Sequence, residues 1–162
     1  MPSQPPNWRW REPYHDDNTG WISFGAFLII AAVIYLITPG IAQAIETFLR
    51  SFQLVEIFDN FWLPVPSGSH PMVYTTAERF SYAFGVVQIG ILGLRFARGS
   101  LVHGKAETAS SVVFWLGFGY ILRLLSEGTL LWLSFLGAFV ILVGISIVVR
   151  ALILILVPHP RP

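Results

Sequence analysis

Four long stretches of this chain carry almost nothing but apolar side chains, and polar stretches separate them. The first, residues 21–38, has no charge and ends at Thr38-Pro39-Gly40. At 1.5 Å per residue it covers about 27 Å, close to the hydrocarbon thickness of a bilayer. The second and third are shorter: 15 uncharged residues lie between Arg79 and Arg95, and 15 between Glu107 and Arg123. Each of these cores covers about 22 Å, so the flanking arginines must snorkel or neighbours must shelter the spans. Thr75 or Thr76 is the expected N-cap of the second span. The fourth run, residues 130–157, is interrupted only by Arg150. Gly128 and Thr129 separate it from the third, as a C′ glycine and an expected N-cap, so these two spans form a tight antiparallel hairpin.

The polar stretches differ among themselves. Residues 1–20 read as an exposed tail leading to an uncleaved span, since they lack the basic start and small-residue cleavage site of a signal peptide. Within them, Trp8, Arg9, Trp10 and Arg11 either sit at the headgroup level or belong to a disordered end. Between the first and second spans, large apolar residues recur at Ile41, Ile45, Phe48, Phe52, Val55, Phe58 and Trp62. Every step is three or four residues, which predicts one face of a helix over residues 39–62. Gln43, Glu46, Arg50, Gln53, Glu56 and Asp59 fill the other face, too polar to span. That helix carries a net charge of −2, whereas one made for anionic lipid would be basic. Docking on a protein, or packing on its own bundle, fits better, and the seven apolar residues are the candidate partner-binding face. Residues 63–74 read as a Pro-rich loop, and 158–162 as a short tail.

Four spans place both termini on one side. Seven basic residues fall there (Arg9, Arg11, Arg95, Arg98, Lys105, Arg150 and Arg161) against three on the other (Arg50, Arg79 and Arg123). The positive-inside rule then puts both termini in the cytoplasm of a multi-pass cell-membrane protein. Arg150 follows 20 uncharged residues, enough for a full span, and so falls at the cytoplasmic boundary. Three readings of it compete: a tilted helix from which Arg150 snorkels, a tail packed on a partner, or a functional charge paired with Glu107.

Composition sharpens the picture by exclusion. Charged residues make up 12% of the 162, against about 25% in a soluble domain. The mean hydropathy is +0.65. A net charge of +1 speaks against nucleic acid as a partner. Without cysteine there is no disulfide, thiolate metal site or iron–sulfur cluster. His15, His70, His103 and His159 all lie in tails, loops or span ends, so no span core offers a haem ligand. No lysine or carboxylate lies at mid-membrane, and no nucleotide-binding, zinc-protease or serine-hydrolase motif occurs. No cofactor, metal or catalytic residue is expected.

The polar atoms within the spans are few, chiefly Ser81, Tyr82, Gln88, Tyr120, Ser134 and Ser146. Gln88 is central in the second span and needs a partner, because an unpaired amide in hydrocarbon is costly. An interhelical hydrogen bond outweighs a pore or quinone contact. Small residues at Ser81, Gly85, Gly90, Gly93, Gly117, Gly119, Gly137 and Gly144 are notches through which helices approach closely. The expected fold is therefore all-α: four transmembrane helices in a small bundle, plus one amphipathic surface helix. The expected function is non-catalytic, an accessory or structural subunit of a larger membrane complex, surrounded by lipid and bound to other subunits or to copies of itself. The alternative is a small homo-oligomeric channel or transporter, with Gln88, Tyr82 and Tyr120 along its path.

Overall fold

The computed structural model describes residues 19–97 and 102–156. The expectations for the N-terminal tail, for Arg98 and for residues 157–162 lie outside them. Helix α1 is Thr19–Ile37, α2 Ile41–Arg50, α3 Pro71–Ala97, α4 Val102–Ser126 and α5 Trp132–Leu156; strands β1, Phe52–Phe58, and β2, Phe61–Pro66, stand between α2 and α3. Helices α1, α3, α4 and α5 are each long and apolar enough to cross a membrane. The chain is a multi-pass, mostly helical membrane protein, as its apolar runs require.

The surface segment departs from expectation. The helix foreseen over residues 39–62 stops at Arg50, where Ser51 turns its hydroxyl onto the carbonyl of Phe48 (2.7 Å). The rest is an antiparallel hairpin pairing Phe52 with Pro66, Leu54 with Pro64 and Glu56 with Trp62. Two physical reasons decide this. Pro64 and Pro66 are barred from a helix interior but tolerated in a strand with a free edge. Asp59-Asn60 joins two runs rich in β-branched and aromatic residues, a hairpin signal. Asn60 takes the left-handed conformation (φ 67°), and its N–H donates to the Glu56 carboxylate at 3.0 Å. The Ser67 N–H closes the hairpin base on the Ser51 carbonyl at 2.8 Å.

Two expected caps are also corrected. Helix α3 begins at Pro71, whose fixed φ suits the first helical position. Thr75 and Thr76 therefore lie inside it, and the Thr76 hydroxyl donates back to the Met72 carbonyl. The Pro-rich loop shrinks to residues 67–70. Gly128 does terminate α4, at φ 70°. The Gly128 and Thr129 N–H groups bond the carbonyls of Leu125 and Leu124, the paired pattern of a Schellman motif. Thr129 caps the end of α4 rather than the start of α5, since its hydroxyl also donates to Leu124.

The spans pack mainly as a row: α1 on α3, α3 on α4, α4 on α5. The core lies between α3, α4 and α5 around Tyr74, Ile121, Leu122, Leu125, Phe135 and Leu142. Three glycines allow the close contacts. A Cβ on Gly85 would meet Leu116 at 2.7 Å, one on Gly119 the Tyr82 ring at 3.0 Å, and one on Gly117 would strike Leu142. Among the described residues nothing lies within 4 Å of a Cβ built on Gly90, Gly93, Gly137 or Gly144. Aromatic rings run through the row without a break. Phe27 meets Phe80 and Phe84; these meet Trp115; Phe114 and Phe118 lead on to Phe135 and Phe139. The outer helices leave large side chains such as Leu36 and Ile155 exposed, and these faces contact lipid.

Candidate functional site

The candidate partner face divides in two. Ile41 is buried, and Ile45 lines a crevice of about 300 Å³ between α1, α2 and α3 with Ile34, Tyr35, Val73 and Phe80. Phe48 stands at the centre of an aromatic cluster. Its ring centroid lies 5.0 Å from Phe52, 5.3 Å from His70, 5.8 Å from Tyr74 and 6.2 Å from Trp132. So Ile41, Phe48 and, through Trp132, Phe52 hold the surface segment on its own bundle. Val55 and Trp62 sit elsewhere, exposed on the hairpin. Phe58 occupies the end of β1, and its side chain lies outside the described residues.

The hairpin is thus the outward element. Leu54 and Trp62 are 69% and 54% exposed, and Val55 and Phe61 are also exposed. Its orientation is fixed from below, where the Trp132 indole N–H donates to the Pro64 carbonyl at 3.1 Å. The indole N–H is a donor only, and the Pro64 carbonyl is its acceptor.

The two singled-out intramembrane polar residues lie far apart. Gln88 is buried on the face of α3 that carries Ser81, Phe84, Gly85 and Ile91. No hydrogen bond of its amide is seen among the described residues. Ser81 instead donates to the Ala77 carbonyl of its own helix. Tyr120 is 58% exposed, so Gln88 and Tyr120 do not line a common path within one chain. Arg150 lies on the exposed side of α5, one and a half turns from its end. Among the described residues the ion pairs are Glu46–Arg50 and Arg123–Glu127; Glu107–Arg150 is not one of them.

A polar cluster across α3 and α4 was not foreseen as a unit. Glu78 and Tyr82 are one turn apart on α3; Tyr120 and Arg123 follow at helical spacing on α4, and Glu127 stands just past its end. Gly119 brings the helices together, so that Glu78, Tyr120, Arg123 and Glu127 all act electrostatically on Tyr82. Arg123 Nε donates to Glu127 Oε1 at 2.8 Å. Glu78 has no ion pair among the described residues. The i,i+4 and i,i+3 spacings were there to be read, but only the packing register shows that the two helices bring them together.

At the other end of this helix pair, Arg95 donates through Nη1 to the Gly104 carbonyl, and the Thr108 hydroxyl donates to the same oxygen. Lys105 Nζ stands 4.9 Å from the Phe96 ring centre. These contacts tie the end of α3 to the start of α4. Among the described residues no group of three His, Asp or Glu could hold a metal ion. No family model, characterised protein or solved structure matches the chain.

Proposed function

We propose that this protein is a non-catalytic subunit of a larger membrane assembly, and that its hairpin docks on the extramembrane part of a neighbouring subunit. The observation that carries this reading is the exposed apolar hairpin, presenting Leu54, Val55, Phe61 and Trp62 from a bonded base. Exposed apolar surface outside the lipid marks an interaction site, in which aromatic residues dominate; here Leu54 and Trp62 share one hairpin face, and Val55 and Phe61 lie on the other. The seven-to-three distribution of basic residues supports a topology with the hairpin on the outer side of the cell membrane and the termini in the cytoplasm.

Native mass spectrometry after gentle extraction tests it. The wild type is expected to carry a foreign subunit in fixed ratio, and Leu54→Ser with Trp62→Ser to lose it without a change in melting temperature. A wild type without any foreign subunit, or a variant that keeps it, overturns the reading. Orientation is read with a membrane-impermeant maleimide, because the chain has no cysteine of its own. Asp59→Cys is expected to label in intact cells, and Ser100→Cys only after permeabilisation.

A further inference from the structure

The polar cluster on α3 and α4 sits where a lone chain has no use for it. Tyr74, against Phe48 of the surface helix, marks one end of the α3 span. Arg95 lies 21 residues on, about 31 Å, and marks the other. Glu78 is one turn inside this interval and Tyr82 two. Arg123 and Tyr120 flank the same depth on α4, because Gly119 packs on Tyr82. Ionisable side chains within a span face protein or a water-filled path rather than lipid. Yet Arg123 and Glu127 are 58% and 47% exposed, and Tyr120 also 58%. Glu78 forms no ion pair within 4 Å among the described residues; its charge acts on Arg123 of its own chain only across a longer gap. The face continues toward the other membrane surface through the exposed Val86 and Ile89 and the uncovered Gly93. The opposite side of the helix pair is already occupied, by the aromatic rings that join it to α1 and α5.

We propose that two copies of the chain pair through this α3–α4 face about a two-fold axis along the membrane normal, with Glu78 of each copy meeting Arg123 of the other. The charge pattern selects the occupant. A two-fold axis at the line between α3 and α4 sets each α3 against the other copy's α4 at equal depth. Glu78 and Arg123 share that depth and sit on opposite sides of the line, so the face is its own complement. Arg123 uses Nε for Glu127 and keeps its terminal nitrogens for a second carboxylate. Tyr120 falls near the axis. The dimer turns the open row into a closed core of four helices and removes the charges from lipid. This pairing is separate from the hairpin contact, and either can fail without the other.

Cross-linking in native membranes tests it. Tyr120→Cys, the sole thiol, is expected to give a covalent dimer of the 18.1 kDa chain on copper-phenanthroline oxidation. Val140→Cys, exposed on α5, is expected to stay monomeric. In detergent, Glu78→Arg alone and Arg123→Glu alone are each expected to weaken association roughly tenfold or more. The double swap is expected to restore it, and circular dichroism of each single variant checks that it folds. Three results would overturn the pairing: no homodimer from Tyr120→Cys, a foreign chain captured there instead, or a folded double swap that stays monomeric.

Discussion

At the scale of single residues, the spans contain both well-used and unused chemistry. Gln88 is a largely buried residue whose amide makes no hydrogen bond among the described residues, although its polar atoms are not fully sealed. An unpaired amide costs about 1–3 kcal/mol where water is shut out. Gln88→Leu is therefore expected to raise the unfolding free energy in detergent by about 1 kcal/mol. A fall of similar size would mean that the amide meets a partner supplied from outside the chain. The glycines divide in the same way. Gly119→Leu forces a side chain into the Tyr82 ring and is expected to cost about 1–3 kcal/mol. Gly137→Ala enters open space in a helix and is expected to gain roughly 0.5–1 kcal/mol. Chemical denaturation of the two variants side by side reads the difference. The sequence marks all these glycines alike, because small size is visible in it and the neighbour is not.

At the scale of elements, legibility followed the strength of the periodic signal. The four spans were plain, because an uncharged run of membrane length has one stable outcome in lipid. The surface segment was half legible. Ile41, Ile45 and Phe48 do share a helix face, but the three-four spacing continues by coincidence into Phe52, Val55 and Trp62, which belong to strands. The prolines at 64 and 66 and the Asp59-Asn60 turn carried the contrary signal. What fixes the hairpin in place was not legible at all, since Trp132 and Pro64 are 68 residues apart. Trp132→Phe keeps the ring and removes the donor. It is expected to cost about 1 kcal/mol and to speed amide hydrogen exchange in β1 and β2, with little change in α4. Unchanged exchange would show that ring packing alone seats the hairpin. Phe48→Ala, which empties the cluster that holds α2, is expected to cost about 3–5 kcal/mol.

At the scale of the whole molecule, the row of spans has two unlike sides. One is sealed by aromatic contacts from Phe27 to Phe139, and the other carries Glu78, Tyr120 and Arg123. That asymmetry gives the protein a direction within the plane of the membrane as well as across it. It predicts that introduced thiols cross-link on the α3–α4 side and not on the α5 side, however the hairpin is engaged.

The row has a further consequence, for the order of synthesis. Each span after α1 packs against the one made just before it, and α1 waits through the hairpin for α3. No span has to be held open for a distant partner while the ribosome finishes the chain, so packing can keep pace with insertion. Among the described residues, the Trp132 side chain runs against this order, by its hydrogen bond and by its ring contacts with Phe48 and Phe52. The Trp132 indole, at the start of the last helix, reaches a hairpin that left the ribosome 68 residues earlier. The outward element is therefore locked only as the final span arrives, and a chain truncated before α5 would reach the membrane with its hairpin unfastened.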